Sequence, residues 1–372
     1  MSESKHARGG RRWLPWAALG GALVIGGGIG AGIVAATTSS TPAAASTTTN
    51  AASSGSGQVS ACDVTSVANQ VIPSVVTISA RGSNGGGTGS GEIIKSDGYI
   101  VTNNHVIAIA ANGGSVEVQF ADGQTAPATI VGRDPLTDLA VLKVDTSAKL
   151  QPIAIGSSSS VVVGQAAVVI GAPLGLSGTV TSGIISALDR TIEVPGENDS
   201  SALLVGALQT DASINPGNSG GSMVNCSGQL IGIPSAGASV PSSSGESNGG
   251  SIGLGFAIPV NLAMTIADEI IATGSVTHAY FGVNAAPIPP SAAAQAGVPE
   301  GLYVQSVVPG GPAAKAGLRQ GDVITKIDGQ AATSTVQLQE LTLTKKPGDT
   351  VPLEYSRNGQ SATATVTLGT QP

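Results

Sequence analysis

The chain has 372 residues, room for two or three domains, and 41% of them are hydrophobic, enough for sizeable cores. A formal charge of −7 argues against nucleic acid as the main partner. Two cysteines far apart, three histidines (His6, His105, His278) and no H-E-x-x-H run leave no ligand cluster for zinc, so neither a metal site nor a cofactor is expected.

Residues 1–12 carry Lys5, Arg8, Arg11 and Arg12, and no further charge follows until Asp63. Residues 13–36 are apolar and long enough for one transmembrane helix, with Trp13 and Trp16 at its basic, cytoplasmic end. The rival reading is a cleaved signal peptide with Ala43–Ala45 offered to the peptidase. Either way the remainder leaves the cytoplasm. Residues 37–60, rich in Ser, Thr and Ala, read as a flexible linker.

A β-rich domain is expected over 61–274. From Val64 onward the runs are short: Val75–Ser79, Glu92–Lys95, Tyr99–Thr102, Val116–Phe120, Ala126–Val131 and Leu139–Val144, then Ala166–Ile170, Thr179–Ser186, Ala207–Thr210 and Gln229–Ile233. The glycines of Gly82–Gly91 read as a turn. Strands this short with turn signals between them indicate a sandwich or barrel, and no long helices alternate with them as a doubly wound sheet would need. One helix is expected at Val260–Thr273, with Asn261 as its N-cap and Gly274 just past its end. A second domain follows over 278–370. It has strands near Gly301–Val308 and Asp322–Ile327, a turn at Asp328-Gly329, a helix at Val336–Thr344 and a closing hairpin from Val351–Arg357 and Ala362–Leu368.

The chemistry concentrates in Asp211-Ala-Ser-Ile-Asn-Pro-Gly-Asn-Ser-Gly-Gly-Ser222. Glycines on both sides of Ser219 let its hydroxyl stand clear of the backbone and let a substrate carbonyl come close. A nucleophilic serine needs a histidine base oriented by a carboxylate. His105 ends the apolar run Ile100-Val-Thr-Asn-Asn-His105, and Asp138 precedes the apolar run Leu139–Val144. The order His105, Asp138, Ser219 is that of chymotrypsin-type double barrels. The competing set Ser219, Asp268, His278 follows the α/β-hydrolase order. It requires a helix directly after the serine, whereas Met223–Ile233 reads as a hairpin and His278 falls in a connector.

The segments TNNHV, DPLTDLAVLKV and TDASINPGNSGG, with those around Gly87–Ile107 and Gly253–Val260, resemble the HtrA (DegP-like) serine proteases over about Val71 to Leu368. The resemblance implies an all-β, chymotrypsin-like double β-barrel protease domain followed by a PDZ domain. Ser219 would attack the scissile carbonyl, His105 would take and return the proton, and Asp138 would hold the imidazole. The backbone N–H groups of Gly217 and Ser219, with Asn218 as a further donor, would form the oxyanion hole. Ser251, Ile252, Gly253, Leu254, Gly255 and Phe256 would line the specificity pocket. Ser306–Gly329 is similar to a PDZ core, which makes Tyr280, Phe281, Gly282 and Val283 the loop that grips a C-terminal carboxylate.

Implied partners are unfolded or signalling proteins, C-terminal peptides and the membrane. A homo-oligomer is open, because Cys62–Ser79 lacks the aromatic cluster through which family trimers often pack. Glu92 stands where the family usually has an apolar residue, and Ser235–Asn248 is a long polar insertion. Cys62 and Cys226 both fall outside the cytoplasm, where a disulfide persists, and are expected to pair. The whole reads as a membrane-anchored, extracytoplasmic serine endoprotease for quality control or envelope stress signalling. A PDZ-bearing chaperone or adaptor with a latent site, and an esterase using the same serine, are the alternatives.

Overall fold

In this computed structural model the described residues are 62–83, 85–172, 178–197, 200–239 and 251–371. The anchor expected at 13–36, the linker, and most of the polar insertion lie outside them. No helix among the described residues is long and apolar enough to cross a membrane.

The first element among the described residues is helix α1 (Val64–Val71), where a β-rich start was expected. Asp63 caps it: Oδ1 accepts the N–H groups of Thr65 and Ser66 at 3.1 and 3.2 Å. Val67, Ala68 and Val71 recur on one face and are buried. Cys62, just ahead of the cap, is bonded to Cys226, with Cα atoms 5.2 Å apart.

The first barrel contains β1 (Val75–Gly82), β2 (Gly85–Ile93), β3 (Tyr99–Thr102), the short α2 (Asn104–Ile107), β4 (Ser115–Gln119), β5 (Thr125–Asp134) and β6 (Leu139–Val144). It closes in the order β1-β2-β3-β6-β5-β4. The glycines expected to form a turn instead run along β2, pairing with β1 from Glu92 opposite Val75 to Gly85 opposite Gly82. The reason is packing: a Cβ at Gly91 would lie 2.7 Å from Ile100 and Ile78 side-chain atoms.

β6 is buried along both faces because two cores share it. Ala140, Leu142 and Val144 fill the barrel, while Leu139 and Val141 face the core between the barrels. Hence its unbroken apolar run.

The second barrel follows a two-residue strand, β7 (Ala154–Ile155). It is built from β8 (Ala166–Gly171), β9 (Thr179–Pro195), β10 (Ser201–Thr210), β11 (Ser222–Val224), β12 (Gln229–Ser239) and β13 (Ser251–Pro259). Its sheet order is β11-β8-β9-β10-β13-β12-β7, and β11–β12 pairing closes it. β9 and β10 are far longer than expected and pair antiparallel. β13 is a strand where a pocket loop was expected.

Helix α3 (Val260–Thr273) ends at Gly274 in the left-handed region, as expected. Its N-cap, however, is Pro259, and Asn261 Oδ1 accepts the N–H of Ser158 instead. Val260, Ala263, Ile266, Ala267 and Ile270 join the core between the barrels.

The last domain contains β14 (Ala279–Tyr280), β15 (Val283–Pro287), α4 (Pro290–Ala296), β16 (Leu302–Val307), α5 (Pro312–Lys315), β17 (Val323–Ile327), β18 (Gln330–Ala331), α6 (Val336–Thr344), β19 (Thr350–Arg357), β20 (Gln360–Thr367) and β21 (Gly369–Thr370). The sheet runs β15-β16-β17-β19-β20, which leaves β15 at an edge, and β14 pairs with β21. Arg357 clamps the buried carboxylate of Asp322 through Nε and Nη2, each at 2.7 Å.

Candidate active site

His105 sits on α2 at the end of β3, and Asp138 sits in the turn between β5 and β6. That turn needs a left-handed residue, and Asp138 takes φ 59°, which aspartate tolerates better than a branched residue would. One carboxylate then organises the site. Asp138 Oδ2 lies 2.8 Å from His105 Nδ1, and Oδ1 accepts the His105 N–H at 3.0 Å. The Asp138 carbonyl accepts Asn103 Nδ2 and the Asn104 N–H. A carboxylate on Nδ1 makes that nitrogen the proton carrier and leaves Nε2 its lone pair. Asp138 is nearly buried, while the His105 side chain is 44% exposed, so the free nitrogen can meet a substrate.

Ser219 comes from the second barrel, between β10 and β11. Its Oγ donates to the Ser235 carbonyl at 3.3 Å, and Ser235 Oγ donates to Asp138 Oδ2 at 2.6 Å. Sequence reading missed Ser235. Its only signal was a polar residue closing the apolar run Leu230–Pro234. A carboxylate that already takes two donors from His105 is thus given a third.

The loop ahead of Ser219 is gripped from the first barrel. Ser90 Oγ donates to the Gly217 carbonyl at 2.6 Å and accepts the Ala172 N–H at 2.8 Å, and the Ser90 N–H donates to the Ser219 carbonyl. Gly220 has φ 82°, and a Cβ there would lie 2.3 Å from the Ser90 carbonyl oxygen, so only glycine fits. Gly217 has φ 101°. No acceptor among the described residues takes the N–H groups of Gly217 or Ser219. The Asn218 N–H, expected as a further donor, is already bonded to the Asn215 carbonyl at 3.0 Å, so it does not point into the site.

A cleft of about 760 Å³ joins these groups. His105, Asp138, Gly217 and Ser219 line it, as do Ile214 and Gly237. Of the expected pocket residues, Ser251 and Phe256 line it. Gly255 lies behind the wall, where a Cβ would strike Ile214. Ile252 and Leu254 are 48% and 38% exposed on β13 and do not line the cleft. Ile192 and Val194 form a wall that sequence reading missed; they lie on the part of β9 beyond Ser186, where no strand was expected.

The competing set does not assemble. Asp268 pairs with Lys95 at 3.2 Å, and His278 Nε2 meets Asp134 at 2.9 Å. In the last domain Tyr280 ends β14, Phe281 is buried in the core, Gly282 has φ 77° and Val283 begins the edge strand β15.

Residues 89–233 match the trypsin-like peptidase domain family, and residues 276–368 match the PDZ domain family. The serine protease Do-like HtrA of Lactobacillus helveticus is 40% identical over 300 residues, covering 75% of this chain and 68% of that protein. The chain belongs to the HtrA family of serine proteases. The serine protease PepD of Mycobacterium tuberculosis is 44% identical over 313 residues, covering 82% of this chain. This chain spans 66% of PepD's length. A solved HtrA-type protease, AlgW with a decapeptide, superposes with a TM-score of 0.65 at 33% identity, covering 83% of this chain and 99% of that one. The double barrel followed by one PDZ domain is therefore the HtrA architecture.

Proposed function

We propose that this chain is an HtrA-type serine endoprotease in which Ser219, His105 and Asp138 form the catalytic triad. The observation that carries the reading is the His105 Nδ1–Asp138 contact at 2.8 Å with Ser219 in the same cleft, between the two barrels. Ser219 Oγ attacks the scissile carbonyl carbon as its proton passes to His105 Nε2, and the carbonyl oxygen becomes an oxyanion. The N–H groups of Gly217 and Ser219 receive that charge. Collapse breaks the C–N bond, and the imidazolium protonates the leaving amine. Water then hydrolyses the acyl-enzyme with His105 again as base. Asp138 holds the tautomer throughout.

The apolar 13–36 segment supports a membrane anchor with both domains outside the cytoplasm, where unfolded or signalling proteins would be the substrates. The unpaired edge of β15, following Tyr280–Val283, suits a peptide that adds a strand and presents its C-terminal carboxylate. One observation favours a second reading, a chaperone or adaptor with a latent site. Ser219 Oγ rests on the Ser235 carbonyl, and no hydrogen bond joins it to His105.

The test is incubation of the full chain, with and without Ser219→Ala, with unfolded casein and a fluorophosphonate probe. Cleavage and labelling by the parent alone are expected. Labelling without cleavage points to the esterase reading. Neither, from folded protein, moves the latent reading ahead.

A further inference from the structure

Glu92 is fully buried on β2, in Gly89-Ser-Gly-Glu-Ile93. Its register partners are Val75 on β1 and Val101 on β3, and both belong to the core between the barrels, not to the inside of the first. Directly paired residues share a face, so the Glu92 side chain points at the second barrel. Both of its carboxyl oxygens lack a hydrogen-bond partner. So do Thr77 Oγ1, on the same face of β1, and Ser222 Oγ, on β11 three residues past Ser219. Ser222 lies near enough to act on the carboxyl's proton affinity, yet the pair falls short of hydrogen-bond geometry.

The other buried carboxylates among the described residues are all partnered: Asp138 by His105 and Ser235, Asp134 by His278 and Thr137, and Asp322 by Arg357. Glu92 has no such partner. An ionised carboxylate there would be an unpaired buried charge, so the neutral acid is the form that suits the site. Burial pushes Glu92 well above the usual carboxylate range, and contact with Ser222 opposes this only in part.

The elements around it offer no counter-charge. On this face β1 presents Val75 and Thr77, β8 presents Val168 and Ile170, and β11 presents Ser222 and Val224. β3 presents Val101 and Tyr99, whose ring is flanked by the ammonium groups of Lys95 and Lys143. His105, on α2, adjoins β2 through Val106 on its opposite face.

We propose that Glu92 is a positioning residue for Ser219: its carboxyl group reaches from the first barrel to Ser222 of the second and holds the strand behind the serine at the spacing that His105 requires. His105 and Asp138 ride on the first barrel and Ser219 on the second, so the distance between barrels sets their alignment. β2 already grips the serine loop through Ser90, and Glu92 is the next residue on the same face. A small shift of β11 lets the carboxyl O–H donate to Ser222 Oγ. Loss of that proton leaves an anion with no partner, which draws water between the barrels and moves Ser219 out of line. The inference rests on the reading of Ser219 as nucleophile.

The test is the rate of fluorophosphonate labelling of the full chain from about pH 5 to about pH 9, with Ser219→Ala as blank, for the parent, Glu92→Gln and Glu92→Leu. The parent's rate should fall toward the alkaline side as Glu92 loses its proton. Glu92→Gln should rise and stay on a plateau, because its amide N–H donates to Ser222 but cannot ionise. Glu92→Leu has no donor and should label about 3- to 10-fold more slowly than Glu92→Gln along that plateau, the effect of one hydrogen bond. Superimposable profiles for the parent and Glu92→Gln would overturn the proposal, as would equal rates for the Gln and Leu variants. If Glu92→Leu fails to fold by circular dichroism, the parent and Glu92→Gln profiles decide alone. A folded parent that labels no faster than the Ser219→Ala blank at any pH removes the nucleophile reading and this one with it.

Discussion

The ring Nε2 of His278 lies 2.9 Å from Oδ2 of Asp134, and both side chains are buried. Asp134 closes β5, four residues before Asp138, and also accepts Thr137 Oγ1 and the Leu136 N–H. His278 belongs to the connector, and its carbonyl accepts the N–H of Gln371 beside β21. The start of the last domain is thereby tied to the turn that carries Asp138. Removing the ring leaves a buried carboxylate short of one donor, which typically costs about 1–3 kcal/mol. His278→Ala should lower unfolding stability by about that amount in a urea titration. An unchanged midpoint would show that the contact contributes nothing.

Ser235 should act on rate more than on binding. Its hydroxyl donates to Asp138 Oδ2, the oxygen that also meets His105 Nδ1. Ser235→Ala removes one hydrogen bond to a charged group, worth about 1.5–3 kcal/mol. Steady-state kinetics on a peptide substrate should show kcat lower by about tenfold or more with KM little changed. A change confined to KM would place Ser235 in substrate binding instead.

Gly217→Ala tests the oxyanion site. With φ at 101° the position is outside what an alanine adopts without strain, so the peptide should rotate and take its N–H away from the oxyanion. A loss of about 10²–10³ in kcat is expected, as for removal of one oxyanion donor. Wild-type kcat in Gly217→Ala would mean that this N–H is not a donor to the transition state.

Glu92 also makes a prediction about stability. Burial raises its pKa in the folded chain above the unfolded value of about 4.3. The stability linked to its proton is therefore fully present below the unfolded value, and it is lost as pH rises through the folded one. Glu92→Gln has no proton to lose, so its Tm advantage over the parent should widen steadily as pH rises above about 4.3. A difference that stays constant with pH would mean that the carboxyl is solvated.

The disulfide joins residues 164 apart, fixing the start of α1 beside the turn after β11. Cys62→Ser with Cys226→Ser should cost about 2–5 kcal/mol. Thermal melts of the reduced and oxidised parent should differ in the same direction. Equal Tm values would show that α1 docks without the bond.

The sequence by itself determined the candidate residues and their order along the chain. Three histidines, one of them ahead of the apolar stretch, left few bases to consider, and glycines around Ser219 suit an exposed hydroxyl as well as they suit a plain turn. Apolar runs such as Leu139–Val144 and the helix Val260–Thr273 with Gly274 at its end were legible because burial and local backbone rules leave a periodic trace. What only the tertiary structure decided depends on partners far apart in sequence. Glycines 85–91 look like a turn until Ile78, Ile100 and Val106 are seen packed against them. Ser235 looks like any strand-end serine until Asp138, 97 residues away, accepts its hydrogen bond. Glu92 is unremarkable in sequence apart from its departure from the family pattern. Only the closing of two barrels around it makes it a buried acid, because desolvation is a property of everything that surrounds a group and not of its neighbours in the chain.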